Sequence, residues 1–193
     1  MSAYTPDFRL DMVGEPCPYP AVATLEAMPQ LQPGQILVAD QQGVYVIKMI
    51  GDVRLTLCIS FDRFIEKMLG QPDFSMVLFD LSQASGIDST TLGLMARIGI
   101  QVNDRYQVRP VVFSDNPSIN RVLESMGFQD IFCIVNHADI PLVPEQSLDE
   151  QVQPESLVKQ KVLDAHKVLM GLNSSNFDNF CNLVKMLETP PAG

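Results

Sequence analysis

Between residues 43 and 136 the apolar positions change period several times, and each change marks an element. "VYVIKMI" and "VRLTLCI" flank Gly51-Asp52, a glycine-first pair that suits a two-residue turn, so this stretch predicts a tight β-hairpin. The second run alternates, with Val53, Leu55, Leu57 and Ile59 on one face. Ser60 then reads as a helix N-cap, Phe61, Phe64, Ile65 and Met68 follow at helical spacing, and Gly70 is placed to stop the helix.

"MVLFDLS" is a continuous apolar run, as expected of a strand covered on both faces. After it, Leu92, Met95, Ala96, Gly99 and Val102 make one stripe of a helix. "VRPVVFS" predicts another short strand. Asn116-Pro117 opens a helix with Ile119, Val122, Leu123 and Met126 facing inward and Gly127 closing it, and "DIFCIV" is the last strand. The order β-β-α-β-α-β-α-β argues for an α/β fold, a mixed β-sheet flanked by helices.

Outside this core the pattern changes. Residues 137–153, rich in Pro, Asp, Glu and Gln, read as a linker. Beyond it Val158, Val162, Ala165, Leu169 and Leu172 step by helical intervals, Gly171 to Ser175 makes a turn, and Phe177, Phe180, Cys181, Val184 and Leu187 form a second stripe. Residues 154–188 are therefore expected to form a C-terminal helical hairpin packed on the sheet domain, with a dimerisation or partner-docking role open.

Charge narrows the functional classes. The formal net charge is −10, with no cluster of Lys and Arg to offset it, so nucleic acid would be repelled and a protein partner is the better expectation. No run of about 18 apolar residues occurs, and no basic stretch precedes an apolar one at the N-terminus, so neither a membrane span nor a secretory signal is expected. Cys17, Cys58, Cys133 and Cys181 are scattered, and three lie in apolar runs. That pattern fits buried free thiols in a reducing cytoplasm. His137 and His166 lack ligand-like neighbours and read as solvent or packing residues, so no metal and no cofactor are expected.

The densest chemistry is "GIDSTTLGLMA", residues 86–96. Three hydroxyls, Ser89, Thr90 and Thr91, follow an acid at a helix start. Hydroxyls there can satisfy orphan backbone N–H groups. Asp88 alone could cap the helix, which would leave Ser89 free to point outward from the first turn. A phosphate on it would meet the positive end of the helix dipole, and would add about −1.5 to −2 charges beside Asp88. Such a charge would repel an acidic or apolar partner.

The element order followed by "FDLSQASGIDSTTLGLMARIG" resembles the STAS family, and in particular its anti-sigma factor antagonists. Their signature, an acid followed by Ser, Ser/Thr, Gly, Leu and Gly at a helix start, falls on Asp88, Ser89, Thr90, Thr91, Leu92 and Gly93, with Thr91 standing where the family has glycine. "VVFSDNPSINRVLESMGFQDIFCI" is similar to the family's closing strand, helix and strand, and the resemblance runs over residues 43–136. It implies a non-enzymatic partner-switching phosphoprotein in transcription regulation, as in stress responses. Ser89 would be the phosphorylation site and Thr90 a weaker acceptor. Asp88, Ser89, Thr90, Thr91 and Leu92 would form the partner-binding segment. The implied partners are an anti-sigma factor with serine kinase activity and a PP2C-type serine phosphatase, free-standing or on a response regulator. Thr91 would narrow a partner's approach relative to glycine.

"GEPCPYP" places Cys17 before Pro18 at the start of a helical run, and a helix N-terminus lowers a thiol's pKa. The segment "PDFRLDMVGEPCPYPAVATLEAMPQLQPGQILVAD" resembles the start of the TusA-like sulfur-carrier family, including its YedF branch, whose Cys-Pro-x-Pro cysteine carries a persulfide. Residues 1–40 therefore read as a truncated carrier segment, a partial βαβ unit, with Cys17 as the matching position. The resemblances leave three functions: a phosphorylation-switched binding protein, a sulfur-transfer protein using Cys17 with the STAS part as docking module, and a STAS scaffold with no phosphate cycle.

Overall fold

The computed structural model describes residues 34–54, 58–136, 146–148 and 154–189. The sulfur-carrier motif with Cys17, and His137, lie outside the described residues. In chain order the elements are β1 (Gln35–Gln41), β2 (Val44–Val53), α1 (Cys58–Leu69), β3 (Met76–Ile87), α2 (Ser89–Tyr106), β4 (Val111–Phe113), α3 (Pro117–Ser125), a 3-10 turn (Phe128–Asp130), β5 (Cys133–Val135), β6 (Gln146–Leu148), α4 (Glu155–Met170) and α5 (Ser174–Glu188). The strands form a six-stranded sheet in the order β5-β4-β3-β2-β1-β6. β2, β3, β4 and β5 run parallel, while β1 pairs antiparallel with both β2 and β6. The α/β class expected from the periodicity holds, with the sheet mixed and flanked by helices.

The hairpin lies one strand earlier than the pattern predicts. Its turn is Gln42-Gly43, with φ 55° and 85°, and the Asp40 carboxylate accepts from Gly43 N at 3.0 Å. Positive φ at both central residues gives the turn a twist that matches the flanking strands. Gly51 also has positive φ, 70°, but it sits inside a continuous β2, where the pairing with β3 shifts register at Gly51/Asp52. It accommodates a bulge and does not reverse the chain. Gln35–Gln41, expected to close the carrier segment, is therefore the second strand from one edge of this sheet. β6 likewise arises within the stretch expected to be linker, where Leu148 pairs with Ile36. α1 begins at Cys58, so Ser60 lies in its first turn and is not the residue preceding it.

The core is built from Ile36, Ile47, Met49, Val77, Phe79 and Leu81 of the sheet, with Phe61 and Ile65 of α1 and Met95, Ile98 and Val102 of α2. Phe79 meets Phe61 and Phe132 edge-on at 6.3 and 5.7 Å between centroids. Ile119 and Leu123 of α3 point inward as expected, whereas Val122 is 37% exposed. Cys133 is exposed as well, against the expectation of buried thiols, because β5 is the other edge strand.

From Pro33 onward the chain forms one unit that includes α4 and α5. α4 packs along α2, and Leu163, Ala165, His166 and Leu169 are its buried residues. In α5 the buried residues are Asn176 and Val184, and Phe177 is 53% exposed although the stripe placed it inward. Asn176 is buried because its amide donates to Met126 O at 3.0 Å and Leu169 O at 2.9 Å, joining the tip of the hairpin to the end of α3.

Candidate functional site

The site forms where β3 leaves the sheet. Asp88 N donates to Val53 O at 3.2 Å, which holds the strand end against β2. Asp88 itself is extended, with φ −79° and ψ 163°, and its carboxylate accepts from Thr91 N at 2.7 Å. That is the geometry of an N-cap, and it stabilises an 18-residue helix at its positive end. Ser89 is the first helical residue.

Ser89 does not point freely outward. Its Oγ lies 2.9 Å from Nε2 of His166 on α4, a residue 3% exposed. The other ring nitrogen, Nδ1, is 2.7 Å from Val162 O. A carbonyl only accepts, so Nδ1 carries the proton; in the neutral ring Nε2 is then the acceptor and the Ser89 hydroxyl donates to it. The Phe180 ring meets the imidazole edge-on at 5.0 Å and fixes its plane. His166, read from sequence as an ordinary packing or solvent residue, is thus the partner of the candidate phosphorylation site.

The rest of the signature turns inward. Thr90 is 5% exposed, Thr91 0% and Leu92 2%. Of the expected partner-binding segment only Asp88 and Ser89 are half-exposed, because α4 packs over the turns that follow them. Thr90, the weaker candidate acceptor, and Thr91, the residue standing where the family has glycine, are thus both buried. Gly93 meets its neighbour most closely: a Cβ there would stand 2.7 Å from Ala165 Cα, so α4 crosses α2 with no room for a methyl group.

One turn further along α2, Arg97 pairs with the buried Asp62 of α1, and Lys161 of α4 pairs with the same carboxylate. Burial pushes the Arg97 guanidinium below its ordinary pKa, and Asp164 on α4 works against that shift. On the other side of the site a shallow groove of about 190 Å³ runs between the β3 end and α3, lined by Gly86, Ile87, Leu92, Ile119 and the exposed Val122. Among the described residues no group of His, Cys, Asp and Glu is placed to hold a metal ion, and no helix is long and apolar enough to cross a membrane.

A six-stranded mixed sheet with helices against it, and an acid-capped serine at the start of the helix after the central parallel strand, define the class of the domain as mixed α/β. The STAS domain family model matches residues 35–140, more than half of the chain, and the chain belongs to the STAS domain family. The match begins at β1, in agreement with the sheet and eight residues before the boundary expected from the sequence pattern. An anti-sigma factor antagonist from Mycobacterium paratuberculosis is similar in structure with a TM-score of 0.45 and 18% identity, over 55% of this chain and 89% of that one. An N-terminal segment of 37 residues, 19% of the chain, is 78% identical to the YedF proteins of Escherichia coli K12 and Salmonella typhimurium LT2, both described as candidate sulfur carriers. The chain spans about half the length of these curated relatives, 48%.

Proposed function

We propose that this STAS chain is an anti-sigma factor antagonist switched by phosphorylation of Ser89. The observation that carries the reading is the start of α2. Asp88 takes the cap, so Ser89 is not needed for it, and Ser89 is a half-exposed residue at the positive end of a long helix, its hydroxyl bonded to His166. A phosphate there adds about two negative charges to a surface that already holds Asp88, in a chain of net charge −10. The groove beside it, with exposed Val122 on its wall, offers a partner an apolar foothold next to the switched charge. The unmodified form binds an anti-sigma factor with serine kinase activity. Phosphorylation disfavours that complex, and a PP2C-type phosphatase restores it. The chain acts by binding and not by catalysis.

The test is incubation of the full chain with ATP and the kinase that co-purifies with it, followed by phosphosite mass spectrometry. One phosphate is expected, on Ser89, and absent from Ser89→Ala; label persisting in that variant overturns the assignment. A second reading, sulfur transfer through Cys17, is favoured by the 78% identity to YedF over 37 residues. It expects a persulfide on Cys17 after exposure to a cysteine desulfurase, and an unmodified thiol counts against it.

A further inference from the structure

α2 is buried on more than one side. Its residues from Thr90 to Ala96 are buried without interruption, which is almost two turns of helix. A helix lying on a sheet shows a stripe of buried positions, so an unbroken run requires a second cover. That cover is α4, at the end of α2 where Ser89 stands.

We propose that α4 and α5 form a lid docked in cis over the first half of α2, and that the closed lid and a phosphate on Ser89 exclude each other. The inference rests on Ser89 being the modified residue. Contacts of different kinds hold the lid. Gly93 lets the α4 backbone approach at Ala165, and the buried Asp62 draws Lys161 of α4 toward Arg97 of α2. Asn176 ties the hairpin tip to Met126, and the Ser89 hydroxyl latches His166.

Phosphorylation by a nucleoside triphosphate replaces the Oγ–H bond of Ser89 with an Oγ–P bond, releasing the nucleoside diphosphate and the hydroxyl proton. Ser89 then has no proton to donate to Nε2, and the buried imidazole keeps a bond there only by taking up a proton and donating it to a phosphate oxygen. The phosphoryl group also needs space at a crossing that, one turn on, cannot take a single carbon atom. The modified serine therefore turns outward and the lid lifts. Linkage makes the equilibrium coupling reciprocal: whatever opens the lid favours the phosphorylated form by the same factor that the phosphate favours the open lid, and an open lid also leaves Ser89 accessible to a kinase.

Hydrogen exchange on the full chain tests this without any kinase. Ser89→Glu, which puts a fixed charge at the latch, and Gly93→Ala, which wedges the crossing, should each speed exchange of the α4 and α5 amides by ~10-fold or more while β3 stays protected. If Gly93→Ala also loosens β3, Lys161→Glu takes its place, since it repels Asp62 from a half-exposed position. Unchanged or slower α4 exchange in Ser89→Glu overturns the proposal. A second arm compares phosphate incorporation with the co-purified kinase. Faster labelling of Gly93→Ala than of the unaltered chain supports the lid, and equal rates overturn it. Opened lids together with no phosphate on Ser89 in any form support the cis docking and overturn the modification reading, so the two failures are told apart.

Discussion

At the residue scale the site turns on which side chain performs which task. Asp88 satisfies the helix start, Ser89 faces His166, and Thr91 is fully buried. Two consequences can be measured. Asp88→Ala removes the cap of α2 and should cost about 1 kcal/mol in a denaturant titration. Thr91→Gly restores the family's residue, but at a buried helical position it opens a void and adds backbone freedom. It should therefore cost about 1–2 kcal/mol and leave partner affinity unchanged. A stability-neutral Thr91→Gly with tighter partner binding would mean that Thr91 faces the partner after all. The Asp88 cap was legible in the sequence, since an acid before a hydroxyl-rich helix start has few other uses. The His166 contact was not, because a hydrogen bond across 77 residues leaves no local spacing signal. His166 does fall one helical turn from both Val162 and Leu169, but the reading of it as a solvent or packing residue left its side open.

At the element scale, the helices α1, α2 and α3 and the strands β3 and β4 were readable from periodicity and end signals. The hairpin was displaced because two glycines compete for the turn. Gly51-Asp52 has the stronger local signature, but Gln42-Gly43 makes the reversal, and glutamine is an unusual residue for a left-handed turn position. What decides is tertiary: β2 has to run on beside β3 as far as Ile87 to bring Asp88 to Val53. Gly51 should tolerate no side chain cheaply, and Gly51→Val should cost about 1–2 kcal/mol in the same titration. At the other end of β2, Tyr45 stacks on Phe74 at 5.9 Å and meets Phe64 edge-on at 6.2 Å. Burial first, and then the Asp40 carboxylate, push its phenol up from 10.0 to about 12. The folded state thus keeps a proton that the unfolded chain releases, so this group's contribution to stability is intact below pH 10 and falls between pH 10 and about 12. A phenolate absorbance titration should show a late component that Tyr45→Phe removes; a titration with no such component contradicts the burial argument.

At the scale of the whole molecule, the C-terminal helices change what the STAS domain can do. The two amphipathic helices and their packing on the sheet domain were legible in the stripes, but not the face of α2 that they cover. Ala165, His166 and Asn176 are small or polar residues, chosen for close approach and hydrogen bonding more than for apolar area. The domain's signature serine is in consequence tied to its own chain. On the proposed function, a partner engages the half-exposed Asp88–Ser89 corner and the groove by Val122, or displaces α4. Val122→Asp, which adds charge to the groove wall without touching the core, should weaken partner capture by ~10-fold or more and leave stability within about 0.5 kcal/mol.

The central claim is that one charge on Ser89 decides whether a partner is held. The most direct measurement is binding of the co-purified anti-sigma factor to the full chain before and after phosphorylation, with the phosphate located by mass spectrometry. The account predicts a single phosphate on Ser89 and a loss of binding that a PP2C-type phosphatase reverses. Equal affinity of the two forms, or a phosphate elsewhere that alone abolishes binding, would contradict it.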